Sequence, residues 1–108
     1  MPNPNEEKMQ ELQSMEQNLQ LMLNQKQTFQ AQLLEVDNAL SELEKTQHQV
    51  YKIIGTIMVA SNKQQTIKEL EERKNILELR IKTIEKQENN IKQKANKLQE
   101  ELLKEMKS

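Results

Sequence analysis

Cysteine is absent from this chain, glycine occurs once, and its only aromatic residues are one tyrosine and one phenylalanine. Without cysteine there are no disulfides, no thiolate chemistry and no Cys-type metal site, which is compatible with a reducing cytosol. With Gly55 as the sole glycine, a phosphate-cradling loop cannot be built. Hydrophobic residues at 34% and aromatics at 2% argue against a sizeable globular core and a conventional enzyme pocket. An excess of one charge is missing too. The formal net charge of −1 and pI of about 5.9 give no electrostatic pull toward nucleic acid or an anionic membrane. No apolar run is long enough to span a bilayer, and the amino terminus, MPNPNEEKMQELQ, has neither a basic n-region nor an apolar h-region. The expectation is a soluble, cytoplasmic, non-enzymatic protein with no cofactor, no metal, no nucleic-acid partner and no membrane partner.

What the chain does have is charge, at 31% of residues, and apolar residues spaced every seven. Stepping alternately by three and four gives Leu12, Met15, Leu19, Met22, Lys26, Phe29, Leu33, Val36, Leu40 and Leu43. A second seam runs Ile67, Leu70, Lys74, Leu77, Ile81, Ile84, Glu88, Ile91, Ala95, Leu98 and Leu102. No glycine or proline interrupts either. Asn3, Pro4 and Glu6 supply an N-cap, a first-turn proline and a capping acid; Ser61 or Asn62 caps the second helix, with Gln64 or Gln65 reaching back. Lys104 and Lys107 suit the last turn. The spacing predicts helices over about 4–47 and 63–107, each roughly 60 Å long at 1.5 Å per residue.

Folded back on each other, the two seams match. Leu43 meets Ile67, Leu40 meets Leu70, Leu33 meets Leu77, Phe29 meets Ile81, Leu19 meets Ile91, Met15 meets Ala95 and Leu12 meets Leu98, each layer joining an a to a d position. The fold class is therefore all-α dominated: a long antiparallel two-helix coiled coil with a short β-hairpin at the connection, in one domain over 1–108. The polar breaks Lys26 and Glu88 fall in neighbouring layers on opposite helices. Each is expected to snorkel to water along its own stem, with pairing between them as the alternative. Lys74, opposite Val36, is expected to snorkel.

Between the helices lies VYKIIGTIMVA, an apolar, β-favouring island at 50–60 where a short turn suffices. Gly55 sits between its two runs as a turn or bulge, so 49–61 reads as a β-hairpin. Ile53 and Ile54 are adjacent, and Ile57, Met58 and Val59 are consecutive, so both faces are apolar. A lone hairpin is marginal in water and leaves two edges open. A local plug at the helix root is one reading. The favoured one is an assembly module whose hairpins pair edge to edge, through Val50, Tyr51, Ile53, Ile54, Gly55, Ile57, Met58 and Val59.

Two heptad helices joined by VYKIIGTIMV, with tyrosine, lysine and glycine so placed, resemble the β-type subunits of prefoldin, a co-chaperone family of archaea and eukaryotes. The likeness covers nearly the whole chain, and the VYKIIG segment at the centre is its specific part. One short β segment fits the β class, since α-type subunits carry a longer, glycine-rich double hairpin. The resemblance implies a hexamer of two α-type subunits and four copies of the β type. Its hairpins form a barrel platform from which six coiled coils hang, binding unfolded client proteins without ATP and delivering them to a group II chaperonin.

The residues themselves place a physical basis for client binding at the helix ends farthest from the hairpin. Methionine collects there, and thioethers repack against many apolar surfaces. Met9, Leu12, Met15, Leu98, Leu102, Leu103 and Met106 are the candidate contacts. Leu12, Leu19, Ile91 and Leu98 stand in the seam, where the opposite helix accounts for them. Met9, Leu103 and Met106 lie off it, and fraying helix ends favour them as exposed contacts. Several weak tips acting on one client give useful avidity and still permit release. His48, the only histidine, has no convergent carboxylate or nucleophile and reads as a solvated helix-end residue. Glu71, Glu72 and Glu78 alternate with Arg73, Lys74 and Arg80 as a solvated, ion-paired face. A coiled-coil scaffold or tether, with the island as a dimerisation plug, is the alternative.

Overall fold

A computed structural model of the protein describes residues 3–107; residues 1, 2 and 108 of the expected domain span lie outside the described residues. The element order is α1 (Pro4–Lys45), β1 (Val50–Ile54), β2 (Ile57–Ser61) and α2 (Lys63–Lys107). The two helices, of 42 and 45 residues, carry almost the whole chain, as the heptads require. Two compact units are present, one built from the chain through residue 27 together with residues from 82 onward, the other from residues 28–81. Both helices contribute to each unit.

The ends of the helices follow from their caps. Asn3 accepts the Asn5 N–H on its side-chain Oδ1 at 2.9 Å and the Glu6 N–H on its carbonyl at 2.9 Å, and Pro4 takes the first helical position, where its missing N–H costs nothing. At α2 the cap is Asn62, not Ser61: its Oδ1 accepts from the N–H groups of Gln64 at 2.9 Å and Gln65 at 3.2 Å. The glutamine side chains do not close the box. Gln65 Nε2 instead donates to Glu69 at 3.4 Å. α1 stops at Lys45, short of 47, because Thr46 turns its hydroxyl back onto the Glu42 carbonyl at 2.7 Å and gives its own carbonyl to Lys63 Nζ at 2.9 Å.

Every apolar residue of both seams is buried or half-buried, whereas Leu21, Leu34, Ile76 and Leu79, off the seams, are exposed. Burial is deepest along α2, at Leu77, Ile81, Ile84, Leu98 and Leu102, with Val36 the buried residue of α1. Each such side chain taken out of water is worth roughly 1.5–3 kcal/mol before the entropy of ordering it is counted. Arg80 lies 5.6 Å over the Phe29 ring, and Lys74 Nζ reaches Asp37 Oδ1 at 2.9 Å, snorkelling as expected but onto a carboxylate of the other helix.

The Lys26 and Glu88 layers correct one expectation. Glu88 does not snorkel; it is buried at 6% exposure. Lys26 Nζ comes to 2.8 Å from its Oε1, and no other donor reaches that atom among the described residues. Pairing wins because glutamate's short stem cannot carry its carboxylate to water from this layer, while lysine's long stem brings a cation inward. The carboxylate, accepting from the ammonium, holds the Lys26 pKa above its usual range.

Leu77, at 2% exposure, and Leu34, at 62%, separate seam from surface. Leu77→Ala is expected to lower stability by about 3 kcal/mol, while Leu34→Ala stays within about 0.5 kcal/mol of the parent. Chemical denaturation followed by circular dichroism checks both, and equal losses contradict the seam.

Candidate functional site

The island folds as the expected hairpin. β1 and β2 pair antiparallel with Val50 opposite Ser61, Tyr51 opposite Ala60, Lys52 opposite Val59, Ile53 opposite Met58 and Ile54 opposite Ile57. That register leaves Gly55 and Thr56 as a two-residue turn. Gly55 has φ of 62°, and no non-glycine residue among those described has positive φ. Positive φ at the first central position only is the signature of a type II′ turn, whose twist matches that of the strands it joins. The chain's one glycine is where the backbone needs it.

Register fixes the faces. Val50, Lys52, Ile54, Ile57, Val59 and Ser61 share one side, and Tyr51, Ile53, Met58 and Ala60 share the other. The two sides are not equivalent. On the first, Val50 is buried, and Lys52 and Ser61 are half-buried. Lys52 Nζ donates to Glu69 Oε2 of α2, and Ser61 Oγ lies 2.7 Å from Thr66 Oγ1. Gln49 Nε2 bridges the base, donating to the carbonyls of Val50 and Ser61, each at 3.0 Å. The hairpin is thus lashed to the root of α2 by its base and inner face. On the second side every residue is exposed, with Ile53 at 74%. The closing pair Ile54 and Ile57 is exposed as well. So the apolar character expected on both faces is partly covered on the inner one, through polar contacts that hydropathy does not reveal.

Of the assembly candidates, Val50 belongs to the covered base, whereas Tyr51, Ile53 and Met58 are exposed on the outer face and Ile54, Gly55, Ile57 and Val59 are exposed at the turn and on the other face. Clustered exposed apolar side chains of this kind mark an interaction site.

The other candidates lie in the unit formed by the terminal helix segments. One step back along the α1 seam from Leu12 stands Lys8, so a cation closes the apolar ladder. Its ammonium donates to Glu105 and lies 3.9 Å from Glu101, and the Glu105 hydrogen bond holds its pKa above the usual value. Leu98 and Leu102 are buried, and Leu12 and Met15 half-buried, between the helices. Met9, Leu103 and Met106 are exposed at 52%, 58% and 72%. Leu103 and Met106 sit three apart on one face of α2, and antiparallel pairing sets Met9 on the same flank of the seam. The off-seam trio is the surface offered at this end; the seam residues form its floor. Lys8 and its carboxylates were missed in the sequence, although the seven-residue stepping reaches Lys8.

Among the described residues no group of three or more His, Cys, Asp or Glu side chains is placed to hold a metal, and no helix is long and apolar enough to cross a membrane. His48 is exposed, as expected.

Two long helices whose apolar seams face each other within each unit, connected by a glycine-turned hairpin with an exposed outer face, define a coiled-coil protein with a β-hairpin at its helix connection. The family model described as "Prefoldin subunit" matches residues 6–108, and the chain belongs to the prefoldin family. It is 41% identical over 90 residues to prefoldin subunit beta of Pyrobaculum calidifontis, covering 82% of this chain and 72% of that one. With prefoldin subunit beta of Archaeoglobus fulgidus it shares 37% identity over 94 residues, 85% of this chain and 81% of the relative. The crystal structure of the prefoldin beta subunit from Thermococcus strain KS-1 is similar with a TM-score of 0.91 and 32% identity, over 99% of this chain and 96% of that one.

The lashing of the hairpin is acid-sensitive. Hydrogen bonding to Lys52, and secondarily to Gln65, lowers the Glu69 pKa below its ordinary 4.5. A depressed carboxyl pKa contributes in full above that ordinary value and is lost as pH falls through the folded value. The Lys52 contact is therefore expected to persist at neutral pH and break only below about pH 4.5. Glu69 is exposed and Lys52 only half-buried, so water screens the pair and its contribution is small and falls with salt. NMR titration of the Glu69 carboxyl and the Lys52 ammonium checks this; a midpoint above 4.5 contradicts it.

Proposed function

We propose that this chain is an ATP-independent chaperone subunit, acting in the cytoplasm. Its hairpin joins it to α-type prefoldin subunits and to further copies of itself in a hexamer of two α-type and four β-type chains. Its terminal helix ends capture unfolded polypeptides, which the hexamer passes to a group II chaperonin. The observation that carries the reading is the exposure of Tyr51, Ile53, Ile54, Ile57 and Met58 on a hairpin held in a fixed attitude by its own base. A two-stranded sheet with apolar side chains in water and two unpaired edges is unstable against pairing with other strands. Lashing it to α2 presents that surface without letting it collapse onto the helices.

Capture at the terminal ends is supported by the chemistry of Met9, Leu103 and Met106. Two flexible thioethers and a leucine on one flank accept many apolar shapes and hold each weakly. Four such flanks, one from each copy of this chain, around one client multiply weak contacts into retention, and loss of a few contacts is enough for release. Neither step calls for a nucleotide.

Two substitution sets test the two halves separately. Ile53→Asp is expected to leave helix content unchanged and to abolish hexamer formation with an α-type subunit, because assembly then buries an unpaired carboxylate. Native mass spectrometry of the co-expressed chains reads this, and a normal 2:4 complex refutes the hairpin as the joint. Replacing Met9, Leu103 and Met106 together with glutamine is expected to preserve the hexamer, since all three are exposed, yet to weaken suppression of aggregation several-fold for unrelated denatured proteins without ATP. Undiminished suppression places capture elsewhere, and no suppression by the parent hexamer for any client leaves a scaffold as the function.

A further inference from the structure

The hairpin has two free edges with different surroundings. In a hairpin closed by a two-residue turn the closing pair is hydrogen-bonded, and such pairs alternate with non-bonded ones along the ladder. Lys52 and Ile54 therefore direct their backbone N–H and C=O groups toward β2, while those of Tyr51 and Ile53 point out along the free edge of β1. On β2 the outward groups belong to Met58 and Ala60.

Against β1 lies a groove of about 380 Å³. Its strand wall is Lys52, Ile53 and Ile54, and its helix wall is Thr66, Glu69, Leu70 and Arg73 of α2. The groove offers an incoming strand three things at once: unpaired backbone groups, an apolar floor at Leu70 and Ile54, and a charge. Lys52 and Glu69 neutralise each other. Arg73, one turn beyond Glu69, has no ion-pair partner among the described residues. An arginine beside an apolar floor and an open strand edge is complementary to a carboxylate on the strand that docks there.

This chain's own hairpin cannot supply that carboxylate. Residues 50–61 contain one lysine, already paired with Glu69, and no aspartate or glutamate, so the hairpin of a second copy brings no carboxylate of its own to pair with Arg73. We propose that the free edge of β1 is the receiving edge of the hairpin, and that its occupant is a β-strand of a different chain, bearing a carboxylate that pairs with Arg73 and an apolar side chain that covers Leu70. The inference rests on the assembly reading above and adds to it an edge, a recognition residue and a rule of partner choice. Heterotypic docking is favoured at this edge by charge; homotypic contacts are left to the outer face and β2.

The test uses the full chain with an α-type prefoldin subunit as probe, association being followed by titration at low salt and by native mass spectrometry. Arg73→Glu is expected to weaken association at least about tenfold, and Arg73→Lys much less, because like charge replaces a pair. Proline removes one outward donor without touching the ladder between β1 and β2. Ile53→Pro is therefore expected to lose association well beyond Ile53→Ala, whereas Met58→Pro matches Met58→Ala. Helix content and the hairpin's amide spectrum confirm that each variant folds. If Ile53→Asp is disruptive but Arg73→Glu associates normally, or Met58→Pro is the more damaging proline, the receiving edge is not β1 and this inference alone is overturned. Homo-oligomers of this chain that show the Arg73 dependence overturn it equally. If Ile53→Asp assembles normally, the assembly reading falls, and this inference falls with it.

Discussion

Each helix carries an apolar stripe too narrow to make a core and too long to leave in water, so the only partner that suits it is a second stripe of matching parity. That constraint governs the rest. Helices of this length in a chain with 31% charged residues gain little from propensity alone; the shared seam is what holds them. Because α1 and α2 meet with a layers on d layers, the chain must reverse direction between Lys45 and Lys63, and the reversal is where β-structure appears. Because the seam absorbs almost every apolar residue of regular spacing, the remaining apolar residues stand out as surface. Those in the hairpin and at Met9, Leu103 and Met106 are left over by the same rule.

Polar residues in the seam decide register more than stability. A buried ion pair does not outcompete apolar packing, since the cost of drying both charges offsets their attraction. What Lys26 and Glu88 contribute is intolerance of error. Shift α2 by one layer away from Lys26 and Glu88, buried at 6%, faces leucine or methionine in place of an ammonium. A carboxylate buried without a partner costs far more than an ordinary mismatch. Lys74 with Asp37, and Lys8 with Glu105, add weaker versions of the same rule on more exposed ground. Apolar layers alone tolerate slippage by whole heptads; interspersed charges do not.

The heptad stepping made the seam, both helices and the antiparallel pairing legible, because a period of seven residues is a one-dimensional signal of a local geometry. The caps were legible for the same reason, although choosing Asn62 over Ser61 required knowing which side chain the backbone aims at the Gln64 and Gln65 amides. Contacts set by angle were hidden. Nothing in VYKIIGTIMVA says that Lys52 reaches Glu69 seventeen residues on, or that Gln49 ties Val50 to Ser61, because those contacts depend on how the hairpin leans on α2. The off-seam candidates Met9, Leu103 and Met106 proved exposed, while Leu98 and Leu102, chosen alongside them, lie in the seam's floor. Hydropathy cannot separate the two sets; phase relative to the seam can.

Gly55 ties these levels together. A left-handed φ of 62° at one residue closes the hairpin in two residues and makes Ile54 and Ile57 its hydrogen-bonded closing pair. Alternation from that pair then determines that Lys52 points to the side of α2, where Glu69 waits, and that Ile53 and Met58 point to solvent. A loop longer by one residue inverts this assignment on one strand, turning either Lys52 outward or Met58 inward. An inverted strand cannot be lashed through Lys52, and an unlashed two-stranded sheet has no fixed attitude from which to offer an edge. Glycine is the residue the turn requires, since a Cβ there meets no neighbour within 4 Å and the objection to any other side chain comes from the backbone alone. The choice of face, and with it which apolar side chains stand in water, follows from the conformation of a single residue.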